Sequence, residues 1–251
     1  MKKIICITGA SSGFGEAAAF RFAASNYNLI VTGRREEKLN KLKSVLEEKH
    51  GIEVYVLPFD VSKRAAVEQA FKSLPKDWKK IDILLNNAGL ALGRDSFEDA
   101  SIEDWEIMID TNLKGLLYVS KAVIPFMIPE KKGHIINIGS TAGKQVYQKG
   151  NVYCATKHAV QSVSEAMRID LLPHKIKVSV IHPGAAETEF SLVRLKQDIT
   201  EAKKVYEGYE PLQAADIAEI VYYVASLPPH VCINELEVTC LAQANAYYLM
   251  K

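Results

Sequence analysis

Tyr153 and Lys157 stand four residues apart in the run Tyr153-Cys154-Ala155-Thr156-Lys157. On a helix such positions share one face, so a phenol and an ammonium can approach the same small volume. A tyrosine ordinarily ionises near about pH 10 and is a poor acid–base group at neutrality. A neighbouring cation favours the phenolate and brings the phenol towards working range. Ser140, in Gly139-Ser140-Thr141-Ala142-Gly143, follows an apolar run that reads as a strand. At the end of that strand its hydroxyl can bond a substrate oxygen and steady charge building there. The chemistry on offer is proton transfer to or from an oxygen. The same spacing also arises in helical surface pairs, so the rest of the chain must decide.

A second cluster sits near the N-terminus. An apolar run ends in Thr8-Gly9-Ala10-Ser11-Ser12-Gly13-Phe14-Gly15, where a helical pattern starts. Glycine lets the backbone turn tightly and approach a pyrophosphate with no Cβ in the way. The helix N-terminus then offers unpaired N–H groups and a positive dipole end. The glycines also fit a plain tight strand-to-helix connection, but their place after the first strand of a βαβ unit points to dinucleotide binding. After the second run comes Gly33-Arg34-Arg35, where an acidic residue would bind the 2′-hydroxyl of NAD. Guanidinium groups offer forked, permanent charge to a 2′-phosphate. They would equally solvate the first turn of a helix, and the reading favoured here is NADP(H).

The elements that must position these groups follow a simple rhythm. Apolar runs at 4–8, 29–32, 54–58, 81–86, 135–138, 178–182 and 236–239 alternate with helical stretches at 15–25, 35–50, 62–74, 102–127, 152–172 and 214–225. Several runs are β-branched and almost continuously apolar, as strands covered on both faces are. Strand alternating with helix predicts a single α/β domain over 1–251, a Rossmann doubly wound parallel sheet of about seven strands. Residues 184–212 break the rhythm with many charges and weak periodicity. A long loop after a strand lies at the carboxyl edge of such a sheet and reads as a substrate-binding lid.

Composition excludes little beyond this. The 251 residues are 48% hydrophobic and 24% charged, enough to bury a core. Thirty-one basic against thirty acidic residues leave a formal charge of +1, with no electrostatic footprint for nucleic acid. No apolar run approaches the roughly 18 residues a membrane span needs. Cys6, Cys154, Cys232 and Cys240 are far apart and read as reduced thiols rather than metal ligands, which points to the cytoplasm and to no metal.

Together these motifs resemble the short-chain dehydrogenase/reductase family over nearly the whole chain. The likeness runs from TGxxxGxG at 8–15 through Asp60-Val61, Asn86-Asn87-Ala88-Gly89 and Asn112, then Ser140, Tyr153, Lys157, and Pro183-Gly184 with Thr188. The resemblance implies that Tyr153 is the general acid when a carbonyl is reduced and the base when an alcohol is oxidised. Lys157 would lower its pKa and bind the nicotinamide ribose, Ser140 would polarise the carbonyl, and Asn112 would hold a relay water. It implies cofactor contacts from Gly9, Ser11, Ser12, Gly13, Phe14 and Gly15, with Arg34 and Arg35 beside them. Asp60 and Val61 would meet adenine, Asn87, Ala88 and Gly89 the adenosine side, and Pro183, Gly184 and Thr188 the nicotinamide end. Asp60 ahead of Ser62 also suits a helix-cap region, and the two asparagines a strand-end turn.

A closer likeness, in 183–194 and in the tail around 227–234, is to the NADP-dependent 3-hydroxy acid dehydrogenases. Those act on serine, allo-threonine and 3-hydroxypropionate, and the subgroup includes sulfoacetaldehyde reductases. Small anionic substrates want a cation, and Lys144, Lys149 and Arg194 are the candidates near in sequence. Gly143-Lys144-Gln145-Val146-Tyr147 departs from the subgroup's pattern and should flank the pocket, which keeps a broader ketone or 3-oxoacyl substrate open. His182 reads as a packed strand-end histidine. A non-catalytic NADPH-sensing scaffold is the alternative of another class. Residues 113–127 are apolar nearly all round, which with the resemblance predicts a homotetramer or homodimer.

Overall fold

The computed structural model describes residues 2–251. Seven of its strands are short: β1 (Ile4–Ile7), β2 (Asn28–Gly33), β3 (Val54–Pro58), β4 (Ile83–Asn86), β5 (Gly133–Ile138), β6 (Ile176–Pro183) and β9 (Glu235–Val238). They form one parallel sheet in the order β3-β2-β1-β4-β5-β6-β9. Every residue of β1, β4 and β5 is buried, including the polar Asn86, His134 and Asn137. The strand order reverses between β1 and β4, which opens a crevice at their carboxyl ends.

Helices cover both faces. On one side α1 (Gly13–Ala24), α2 (Glu36–His50) and α9 (Ala214–Ser226) pack around Phe22, Leu39, Leu46 and Val221. On the other, α3 (Arg64–Ser73), α5 (Leu116–Met127) and α6 (Asn151–Leu171) close over Phe71, Val123 and Val178. Local chemistry ends these helices. Gly51 takes a left-handed φ of 62° after α2, where only a residue without a Cβ is unstrained. No helix among the described residues is long and apolar enough to cross a membrane.

Two stretches differ from the sequence expectation. The helical pattern at 102–127 is three pieces: α4 (Ile102–Ile109), a π-helical turn Asp110–Gly115, and α5. The periodicity of the flanking apolar residues hides the extra residue of the bulge. Its reason is Asn112, whose amide donates to the Leu90 carbonyl and accepts from the Leu90 N–H, both at 2.8 Å. Residues 184–212 are not a plain loop. They carry β7 (Ala186–Glu187), α7 (Glu189–Arg194) and α8 (Ile199–Lys204) and end at β8 (Leu212–Gln213), which pairs with β7. Elements this short leave little periodicity, and caps define them: Thr188 accepts from Phe190 N–H at 3.1 Å and Asp198 from Glu201 N–H at 3.0 Å.

Phe22 is fully buried and meets Tyr27 and Tyr222 edge-on at 5.1 and 5.4 Å. Phe22→Ala should cost about 3–5 kcal/mol in denaturant unfolding, the usual range for emptying so large a core position.

Candidate active site

The crevice is one continuous cleft of about 1200 Å³ running from the α1 turn to the segment 184–212. Its floor is made by glycines at strand ends. Gly9 has φ +67° and lies so close to β4 that a Cβ would come within 3.0 Å of the Ala88 Cα. Gly9, Ser11, Ser12, Gly13 and Phe14 all line the cleft. Gly15 does not: it packs α1 onto the turn, where a Cβ would stand 2.4 Å from the Gly9 carbonyl oxygen. Its glycine requirement is therefore helix packing rather than contact with a ligand.

The two arginines part company. Arg35 donates to Ser11 Oγ at 3.0 Å, to Ser12 Oγ at 2.6 Å and to the Glu189 carboxylate at 2.8 Å. Lys38 reaches the same carboxylate at 3.1 Å. Burial works against the charge on Glu189, but these donors outweigh it and hold the group at about 2. Arg34, exposed, lines the cleft beside Asp60. Asp60 accepts from Ser62 N–H at 2.9 Å, so its turn-forming role coexists with its place in the wall, and Val61 adjoins it. Asn87 likewise serves structure, donating to the Thr8 carbonyl at 2.8 Å, while Ala88 and Gly89 continue the lining.

At the other end Ser140, Tyr153 and Lys157 converge. Ser140 begins a short 3-10 turn, Thr141–Gly143, in which its hydroxyl accepts from Ala142 N–H at 3.1 Å. The Lys157 ammonium is buried and donates to the Ile138 carbonyl at 2.9 Å, 6.0 Å from the Tyr153 ring centre. Burial lowers its pKa to about 8. Burial raises that of the Tyr153 phenol, with Tyr147 adding to the rise, while the Ser140 hydroxyl and the Arg194 guanidinium oppose it. A lowering by Lys157, which the resemblance implies, is not among these influences. The ammonium is directed at a backbone carbonyl, and desolvation of the phenol dominates. Asn112 lies beneath the cleft rather than in its wall, tied to Leu90 and, at 3.1 Å, to Thr156 Oγ1.

Of the three cations predicted near the substrate, Arg194 alone lines the cleft. Its guanidinium stands 5.6 Å from the ring centres of both Tyr147 and Tyr153 and donates to the Tyr147 hydroxyl at 3.1 Å. Lys144 turns away to pair with Glu235, and Lys149 is exposed at φ +63°, outside the cleft wall. Sequence proximity to Tyr153 was a poor guide because the turn before α6 points both lysines outward. Pro183, Gly184 and Thr188, which the resemblance assigns to the nicotinamide, line the same cleft. Sequence reasoning missed Arg94, Phe190 and Tyr206, and the tail residues Tyr247 and Leu249, all in the wall. Phe190 leans on Tyr153 at 5.7 Å. Only its position two residues after Thr188 in the lid gave any signal.

The donor set suits a phosphorylated dinucleotide. Ser12 heads α1 without making a side-chain cap, so the first N–H groups of that helix face the cleft with an arginine beside them. Residues 3–198 match the family described as short chain dehydrogenase. The chain is 48% identical over 244 residues, 97% of each chain, to the protein of Escherichia coli (strain K12) named NADP-dependent 3-hydroxy acid dehydrogenase YdfG. It is 44% identical over 245 residues to sulfoacetaldehyde reductase 2 of Chromohalobacter salexigens, covering 97% of this chain and 96% of that one. The closed form of a serine dehydrogenase complexed with NADP+ superposes with a TM-score of 0.92 at 47% identity, covering 97% of each chain.

A lysine whose pKa is lowered keeps its charge below that value and loses it above. A 13Cε-lysine NMR spectrum should therefore contain one signal titrating near pH 8, absent from Lys157→Arg; a spectrum with every lysine titrating in the ordinary range would contradict the burial.

Proposed function

Because this chain belongs to the short-chain dehydrogenase family, we propose that it interconverts small 3-hydroxy acids and their semialdehydes or keto acids, with NADP(H) as the redox partner. It is an NADP-dependent oxidoreductase of alcohol groups, and serine, allo-threonine and 3-hydroxypropionate are the substrates of the right size and charge. The observation that carries the reading is the meeting of a buried phenol, a strand-end serine hydroxyl and a half-buried arginine in one wall of the cleft.

Bound NADPH supplies the hydride for reduction, and the protein positions and polarises. Arg34, at the adenosine end, would take the 2′-phosphate, with the α1 N-terminus and Ser11 and Ser12 on the pyrophosphate. Ser140 would donate a hydrogen bond to the substrate carbonyl, and Tyr153 would give that oxygen its proton. A phenol held protonated by burial suits the acid role in reduction. Lys157 would hold the nicotinamide ribose, and Asn112 would order the water behind it. Arg194 would bind the carboxylate at the far end of the substrate, its fork matching two oxygens.

The same guanidinium fits a sulfonate, which favours sulfoacetaldehyde as a second substrate class. One domain with its lid at 184–212 does all of this. Assembly into a homotetramer or homodimer is supported by apolar residues left exposed on the helical layer: Leu117 on α5, Ile169 on α6, and Leu172 just after it. A cytoplasmic location is supported by four free thiols.

Tyr153→Phe removes only the proton donor. It should lower turnover of malonic semialdehyde by roughly 10²- to 10⁴-fold in an NADPH-absorbance assay while NADPH still binds, and near-normal turnover would refute the role. Arg194→Met should raise KM for malonic semialdehyde and sulfoacetaldehyde roughly 10- to 100-fold, the worth of a charge-assisted bond, with little change for a neutral aldehyde. An equal loss for both classes would remove Arg194 from substrate recognition.

A further inference from the structure

The back of Ser140 is held by a histidine that the reaction as described does not use. His182 is the penultimate residue of β6 and fully buried. Its Nδ1 lies 2.9 Å from the Ser140 carbonyl oxygen and 3.3 Å from the Ser140 backbone nitrogen. The ring sits this close because residue 139 is glycine: a Cβ there would be 2.5 Å from Nδ1. On the far side Nε2 is 2.8 Å from Gln161 Oε1.

Donor accounting restricts the ring. Gln161 Nε2 donates to Glu165 at 2.6 Å and to Glu235 at 2.9 Å, and carboxylates can only accept. The oxygen end of the amide must then face His182, so Nε2 of the ring carries a hydrogen. In the neutral ring Nδ1 is therefore a bare acceptor. It takes the Ser140 N–H and confronts the Ser140 carbonyl. A proton on Nδ1 reverses this: the ring then donates to the carbonyl, and the Ser140 N–H loses its acceptor. That carbonyl already accepts from Gly143 N–H at 2.8 Å, the bond that closes the turn carrying the serine.

We infer that His182 is a positioning residue for Ser140, and that proton uptake at Nδ1 switches which backbone group of Ser140 it holds and so re-aims the serine hydroxyl. The inference rests on the reading that Ser140 polarises the substrate oxygen. The neutral ring is the working form.

The charges around the ring are mixed. Glu235 of β9, at 3.7 Å, favours the imidazolium. Lys144, beyond the 3-10 turn, and Lys157 of α6 oppose it, and Lys144 is itself paired with Glu235. Glu165 of α6 accepts from Gln161, and Glu237 occupies the register position paired with His182 on β9. Burial is the largest influence and sets the pKa below the ordinary histidine value. The neutral ring therefore holds through neutrality, and the switch comes on the acid side.

The test compares kcat for reduction of malonic semialdehyde across roughly pH 5 to 8, the range in which histidines titrate. The wild type should lose turnover towards acid with a step that His182→Gln lacks. Glu235→Gln, which removes the carboxylate favouring the imidazolium, should move the step to lower pH. In 15N-serine-labelled protein the Ser140 amide resonance should titrate with the same midpoint, fixed in His182→Gln and displaced in Glu235→Gln. Superimposable pH profiles for wild type and His182→Gln, or a Ser140 resonance that does not titrate, would overturn the inference. Should His182→Gln not fold, an unchanged midpoint in Glu235→Gln overturns it alone. Absence of turnover with every aldehyde and hydroxy acid would instead fell the proposed function, and the Ser140 resonance would still decide the switch.

Discussion

One hydrogen bond organises the chemical end of this protein: the Lys157 ammonium on the Ile138 carbonyl at 2.9 Å. A buried ammonium is costly unless its donors are satisfied, so this bond pins α6 against the carboxyl end of β5. The approach is close enough that residue 143 must lack a side chain, since a Cβ there would lie 2.7 Å from the Lys157 carbonyl oxygen. With α6 fixed, Tyr153 one turn earlier faces Ser140 at the strand end. The proposed acid and the proposed polariser are thus set by one backbone contact made from below. The same burial that makes this arrangement rigid also raises the phenol and lowers the amine.

Beneath that pair lies a layer of buried polar side chains that bond one another rather than solvent. Asn112 reaches Leu90 and Thr156 from its π-helical turn, and Asn86 bridges Ser120 and Asn137 at 2.9 Å each. Asn137 passes the chain to Ser164 at 2.8 Å. Networks of this kind restrict the arrangement of the helices above them, although Asn86 Oδ1 itself has no partner among the described residues. They explain how a cleft made largely of strand ends and turns keeps its shape.

The segment 184–212 is tied down at the opposite end of the cleft. Glu189, at the start of α7, joins Arg35 and Lys38 on the far side of the mouth. Phe190, next in sequence, leans on Tyr153, so one short helix touches both the nucleotide side and the chemical side. Surface ion pairs contribute little to stability, but one that spans a cleft constrains the position of the segment that carries it.

Much of this was legible in the residues themselves. The doubly wound sheet follows from apolar runs alternating with amphipathic stretches, because strand and helix periodicities are local properties of the chain. The glycine turn and the Tyr153–Lys157 spacing were legible for the same reason: each lies within a single strand-turn-helix segment. What the sequence did not determine were pairings between distant segments. Arg35 meets a carboxylate 154 positions away, Lys144 meets one 91 positions away, and the imidazole of His182 meets a serine backbone 42 positions away. The tertiary structure therefore decided that Arg35 pairs with Glu189 while Arg34 lies beside Asp60, that Arg194 rather than Lys144 or Lys149 lines the cleft, and that burial is the largest influence on the Tyr153 phenol. Charge and hydrogen bonding act through space over a few ångströms, and only the folded chain says which groups come that close.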